Sequence, residues 1–218
     1  MSDSLSPLPL FELSPVAATP KRRYVRTTYT DEHELLGDLL YLHNDGRGVE
    51  VDPCYSIGRF WRGLPQPQHK FDIAPQVEGV QRASSDHLPF AAASVQSVMF
   101  DPPFVIGVPV QTDNSIMSNR FSAYFNLDAL KDHYTRSIAE FQRILVVGGL
   151  LVVKCQDTIT CSKQFLTHVF VINEAERVGF YAKDLFVLVR DQAIIDPKWG
   201  AQQHARKTHC YFLVFRKT

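Results

Sequence analysis

The sequence lacks a charge bias: 23 lysines and arginines balance 23 aspartates and glutamates over 218 residues. A free-standing nucleic-acid binder is more often basic, so any such contact has to come from a local patch. The four cysteines, Cys54, Cys155, Cys161 and Cys210, show no Cys-x-x-Cys spacing and no paired-histidine pattern. That argues against structural zinc and leaves a disulfide framework unsupported. Cys155 and Cys210 lie in apolar runs and read as buried thiols. No apolar stretch is long enough to span a bilayer, and the N-terminus lacks a basic-then-apolar leader. A cytoplasmic enzyme is the expectation. The chain also has no Gly-x-Gly-x-Gly.

What is present is an ordinary globular composition, 45% hydrophobic and 21% charged. Residues 1–23 are rich in Ser, Pro and Ala, end in Lys21-Arg22-Arg23, and read as a disordered tail. Residues 24–218 read as a single domain. Thr30 is a plausible N-cap for a helix whose Leu35, Leu36, Leu39, Leu40 and Leu42 form an apolar stripe. Gly46 and Gly48 end it. Val49 to Asp52 reads as the first strand, closed by Pro53, and Lys70 to Ile73 as a second.

The organising stretch is Ser97-Val98-Met99-Phe100-Asp101-Pro102-Pro103-Phe104. Its apolar run looks like an interior strand of a parallel sheet. Two prolines fix φ and remove donors, so the strand stops at Asp101. The residue before a proline is pushed to extended geometry, which makes a stiff turn. In an open α/β sheet, ligands bind at the carboxyl ends of strands.

Further on, Leu127 to Leu145 has the clearest helical spacing, with Asp128 near its start and Leu130, Tyr134, Ile138, Phe141 and Leu145 on one face. Gly148-Gly149 is expected to end it, before a buried strand at Leu150–Cys155. Lys154 and Gln156 at that strand's end are placed to face a pocket. Phe165 to Gly179 reads as another helix, followed by a strand that reaches Val189. His209 to Phe215 reads as the last strand.

Asp101-Pro102-Pro103-Phe104 resembles the Asp/Asn-Pro-Pro-Tyr/Phe motif of S-adenosylmethionine-dependent methyltransferases that act on exocyclic amines, chiefly adenine N6. The resemblance implies an α/β fold: a Rossmann-like, mostly parallel seven-stranded sheet with an antiparallel last strand. It covers roughly Leu35 to Phe215 in order of elements, and only Asp101–Phe104 is specific at residue level. It implies S-adenosyl-L-methionine as cofactor and catalytic roles for Asp101, Pro102, Pro103 and Phe104. The Asp101 carboxylate and the Pro102 carbonyl would accept the two amine hydrogens, and Phe104 would stack on an extruded base.

Two readings fit the turn after the first strand. Asp52, Cys54 and Gly58 contact the cofactor's amino-acid end, or the turn is structural, with Phe60 and Trp61 in the core. Asp72, ending the second strand, suits the cofactor ribose. Asp86-His87-Leu88-Pro89-Phe90 is similar to the family's third-strand acid with a Leu-Pro-Phe-like turn, which clasps the cofactor's adenine. The alternative is that Asp86 caps a turn.

The stretch Val105–Asn126 has no clear periodicity, and such loops are usually functional or mobile. Arg120 and Tyr124 there suit phosphate and base contact, and a lid over a cofactor would need similar residues. Lys198, Arg206 and Lys207 form a basic loop ahead of the last strand that either contacts phosphate or is simply solvated. The likeness to small bacterial and phage adenine methylases favours DNA as substrate, with RNA next. No target-recognition domain fits in the chain, which implies a structured RNA, a partner subunit for recognition, or DNA modified with little specificity. Enzymes methylating protein amides or lysines share the motif. A catalytically silent methyltransferase-like subunit supporting a partner is the reading from another class.

Overall fold

The structure, a computed structural model, describes residues 24–106, 124–190 and 203–218. The expected tail, Arg120 and Lys198 lie outside the described residues. In chain order the elements are β1 (Thr28–Tyr29), α1 (Glu32–His43), β2 (Val51–Asp52), a 3-10 turn (Arg59–Trp61), β3 (His69–Asp72), β4 (Gln81–Arg82) and β5 (Val95–Phe100). Then come α2 (Leu127–Ile144), β6 (Leu145–Cys155), β7 (Thr158–Thr160), β8 (Lys163–Phe165), α3 (Thr167–Arg177), β9 (Phe180–Val189) and β10 (His209–Lys217).

Among the described residues, eight strands form one sheet in the order β1-β9-β10-β6-β5-β2-β3-β4. From β6 to β4 every pairing is parallel, whereas β10 runs antiparallel to both β6 and β9. The fold is therefore α/β, a mostly parallel sheet with an antiparallel last strand. Its five parallel strands follow the 3-2-1-4-5 order of Rossmann-like sheets, and the order reverses between β2 and β5. The expected seven strands are joined by an eighth, β1, which adds to β9 in parallel with Tyr29 opposite Leu188.

The central strands are apolar on both faces because both faces are covered. Val98, Phe100, Leu151, Val153, Leu213 and Phe215 pack with Leu130, Tyr134, Ile138 and Phe141 of α2 and Val171 of α3. The alternating residues Met99, Leu150, Val152, Phe212 and Val214 pack with Leu35, Leu36, Leu39 and Leu40 of α1 and with Trp61.

Several boundaries differ from expectation. Asp31, not Thr30, caps α1: its carboxylate accepts the Glu34 N–H at 2.7 Å. Leu42 is half exposed and lies off the core stripe. Asn126 caps α2 by accepting the Ala129 N–H at 2.8 Å. Gly148-Gly149 does not end that helix. The chain enters β6 directly at Leu145, and the glycines form an outward bulge between the pairings Val95–Leu145 and Ser97–Leu150. Gly148 sits at φ +77°, a conformation side chains other than glycine's resist. The third helix starts at Thr167 because Lys163–Phe165 pairs with Thr158–Thr160 as a small hairpin.

Candidate functional site

β2 and β5 lie side by side, with Val51 opposite Val98, so their carboxyl ends open at the reversal point of the sheet. Asp52 ends β2 and Asp101 directly follows β5. Both acids thus stand where an open α/β sheet presents its ligands.

The loop leaving β2 is shaped by carboxylates. Asp52 is buried; its Oδ1 accepts the Cys54 N–H at 2.8 Å and its Oδ2 accepts the Trp61 indole N–H at 2.6 Å. Asp72, at the end of β3, accepts the Ser56 N–H at 2.9 Å through Oδ2 and the Ala74 N–H at 2.8 Å through Oδ1. Gly58 has φ +73°, and a Cβ there would collide with the Tyr55 ring. Of the two readings of this turn, the structural one is met at Trp61, which is buried and bonded to Asp52.

Asp101 is paired. Its Oδ2 accepts from Lys154 Nζ at 3.1 Å, and the same ammonium lies 2.7 Å from Glu32 Oε1. The rings of Phe60 and Phe212 stand 5.0 and 5.6 Å from that nitrogen. Burial pushes the Asp101 carboxyl above its ordinary range, with Lys154 pulling it down and Glu32 adding to the rise. Burial opposes the charge on Lys154, yet Asp101 and Glu32 outweigh it and hold the ammonium above the usual lysine range. Asp52 is pushed up to about 7, first by burial and further by the charges on Asp101 and Asp72, against the hydrogen bonds from Trp61 and Cys54.

The third strand's turn is tied to α2. Asp86 pairs with Arg136 at 3.1 Å, the His87 N–H donates to the Ser84 carbonyl, and the Leu88 N–H donates to Glu140 Oε1 at 2.7 Å. Ser85 Oγ lies 2.7 Å from His133 Nε2, and His133 Nδ1 lies 2.5 Å from the Tyr124 hydroxyl. A chain of polar contacts thus links Tyr124, by way of α2, to the turn that carries Asp86. Ile106 and Tyr124 are bridged in parallel, so the chain returns at Tyr124 to where it left the Asp-Pro-Pro-Phe turn.

The structure therefore gathers Asp52, Cys54, Gly58, Asp72 and Asp101 at the carboxyl ends of β2, β3 and β5. It sets Asp86, His87 and Leu88 in the turn after β4. Arg206 and Lys207 are half-buried in the segment entering β10, where the neighbouring His204 donates to the Ser162 carbonyl at 3.0 Å. Sequence reasoning missed Glu32, Glu140 and His133. Lys154 had a signal, a lone lysine inside Leu-Leu-Val-Val-Lys-Cys.

The residues fit the cofactor that the motif implies. Each oxygen of Asp72 uses one lone pair on the loop and retains another for a hydroxyl. Beside the Asp101–Lys154 pair, Asp52 and Asp72 bring two more carboxyl groups to the strand ends, which suits a sulfonium and an α-ammonium group.

No family model and no curated protein matches this chain. Among solved structures, a Thermus thermophilus protein provisionally described as a DNA modification methylase, complexed with S-adenosyl-L-methionine, aligns at 21% identity. That alignment has a TM-score of 0.44 and covers 68% of this chain and 55% of that one. The PvuII DNA methyltransferase, cytosine-N4-specific, aligns at 19% identity and TM-score 0.46, over 62% and 48% of the two chains. A (4+2)-cyclase, SpnF, aligns at 14% identity and TM-score 0.49, over 84% and 80%. Matches to the Thermus protein span about half of its length, 47% to 55%.

Proposed function

We propose that this chain is an S-adenosyl-L-methionine-dependent methyltransferase acting on an exocyclic amine, adenine N6 in DNA. The observation that carries the reading is Asp101 in Asp-Pro-Pro-Phe, immediately after β5, beside the end of β2 where the sheet order reverses.

The cofactor supplies an electrophilic methyl group on a sulfonium. Asp52, Cys54 and Gly58 would hold its amino-acid end, Asp72 its ribose, and Asp86, His87 and Leu88 its adenine. Asp101 Oδ1 and the Pro102 carbonyl accept the two hydrogens of the target amine. That turns the nitrogen lone pair out of ring conjugation and toward the methyl carbon. Pro103 stiffens the turn, and Phe104 stacks on the base. With the cofactor bound, formation of the N–C bond would be matched by loss of the S–C bond, whose electron pair would stay on sulfur. The proton lost from nitrogen leaves along the bond to Asp101, whose basicity burial raises. Alignment of the two reacting atoms supplies most of the rate.

Tyr124, Arg120, Lys198, Arg206 and Lys207 are assigned to the nucleic acid, and a partner subunit to target recognition. RNA takes the place of DNA in the nearest variant of this reading. One observation favours a catalytically silent subunit instead: the turn after β2 carries Gly58 alone, with no Gly-x-Gly-x-Gly.

The test is incubation with methyl-labelled S-adenosylmethionine and either duplex DNA or structured RNA, followed by digestion to nucleosides. Labelled N6-methyladenine from DNA supports the proposal. Label from RNA alone moves it to RNA, and label in neither polymer contradicts it.

A further inference from the structure

We propose that Lys154 is the positioning residue for Asp101: its ammonium holds Oδ2, so that the carboxylate presents Oδ1 to the amine as a neutral pair rather than a bare charge. This rests on the methyltransferase reading above.

A lysine next to the last residue of a buried strand needs a reason. Its flanking residues in β6, Val153 and Cys155, are fully buried, and Lys154 itself is only 6% exposed. A buried ammonium is tolerated only where it is paired and hydrogen-bonded. Here Asp101 Oδ2 is at 3.1 Å, Glu32 Oε1 at 2.7 Å, and two aromatic rings pack around it. Phe212, one of those rings, is the cross-strand neighbour of Lys154 in β10.

The chemistry of the motif explains the arrangement. An asparagine at this position would accept an amine hydrogen with no charge to neutralise. An aspartate in the same buried place is drawn toward protonation, and a protonated carboxyl would turn one of its acceptors into a donor against the amine. Lys154 cancels that charge and fixes which oxygen is used. The charged and titratable groups facing the pair are Glu32 from α1, Asp52 from β2, Cys54 after it, Tyr134 from α2, Arg190 after β9 and Cys210 from β10. Arg190 stands 3.8 Å from Glu32 and helps hold it against Lys154.

The experiment compares Lys154→Met, Lys154→Arg, Asp101→Asn and the double variant Asp101→Asn/Lys154→Met. Methyl transfer is measured across pH, and the Asp101 carboxyl is titrated by 13C NMR. Lys154→Met is expected to lose about a hundredfold in kcat, the scale of a misplaced catalytic group. Its acid limb should move up by about one pH unit or more, the effect of removing a facing opposite charge. The double variant should be no worse than Asp101→Asn alone, because a neutral amide has no use for the ammonium. Lys154→Arg keeps the charge and should keep the pH limb.

Losses that multiply in the double variant, or a Lys154→Met enzyme with the wild-type rate and pH profile, overturn the proposal. If the wild type transfers no methyl group, the function reading has failed, and the NMR titration decides whether Lys154 sets the state of Asp101. An Asp101 pKa raised in Lys154→Met and kept in Lys154→Arg supports that pairing, and an unmoved one overturns it.

Discussion

The indole Nε1 of Trp61 donates to Oδ2 of Asp52 at 2.6 Å, and both groups are buried. Asp52 Oδ1 meanwhile accepts the Cys54 N–H two residues on, an Asx turn. Together with Asp72 holding Ser56, these contacts shape the loop after β2 through side-chain acceptors. In a Gly-x-Gly-x-Gly sheet that shape comes from glycine backbone.

Trp61→Phe should therefore cost more than its lost nitrogen suggests. It leaves a buried carboxylate oxygen without its donor, a penalty of about 1–3 kcal/mol. Urea denaturation measures it, and cofactor affinity should fall in parallel because the loop loses its anchor.

Stability should also depend on pH through Asp52. Burial, with the neighbouring acids, raises its carboxyl from 3.8 in a free chain to about 7 in the fold. Between those values the folded state holds a proton that the unfolded state has released. Stability from this group therefore falls as pH rises through that window, and is level above it. The denaturation midpoint of the wild type, relative to Asp52→Asn, should decline from about pH 4 to about pH 7 and then run parallel. A difference that does not change with pH would contradict the assignment.

Gly58→Ala should destabilise by about 1–2 kcal/mol from the left-handed φ alone. A collision with Tyr55 adds to this, because that ring is held by a 2.8 Å bond to Gln66 and by Lys70 over its face. In a Tyr55→Ala background the steric part should disappear and the conformational part remain. Differential scanning calorimetry of the wild type, the two single variants and the double variant separates the two.

Glu140→Ala should loosen the turn that carries Asp86. Glu140 is buried, accepts the Leu88 N–H, and is held by Arg143 at 2.7 and 2.8 Å. Burial raises its carboxyl, but Arg143 and the Leu88 amide outweigh that and hold it below the usual range. Its contribution is present above the ordinary glutamate pKa and is lost as pH falls through the lowered one. At neutral pH the loss should be about 2 kcal/mol, with faster amide exchange at Leu88.

Much of this was legible from sequence because local and tertiary signals agree. The Val98–Phe100 run, the two prolines and the long amphipathic α2 announce a parallel sheet whose strand ends in a turn at Asp101. Pairing was less legible. That Gly148-Gly149 interrupts a strand instead of ending a helix depends on β5 lying alongside. That Asp31 caps α1 in place of the adjacent Thr30 is decided by one residue of backbone geometry. The charge network was hidden because Glu32, Asp101 and Lys154 are far apart in sequence and meet only through sheet order. Trp61, read as core, is core, and its donor to Asp52 becomes visible only when the 3-10 turn folds it back.

The most direct test of the site separates binding from transfer in Asp101→Ala. Calorimetric titration with S-adenosylmethionine and a labelled-methyl assay on adenine-containing DNA are run on this variant and the wild type. The account predicts that Asp101→Ala binds the cofactor within about threefold of wild type while transfer falls by about a hundredfold or more. Equal transfer by the two proteins would contradict it.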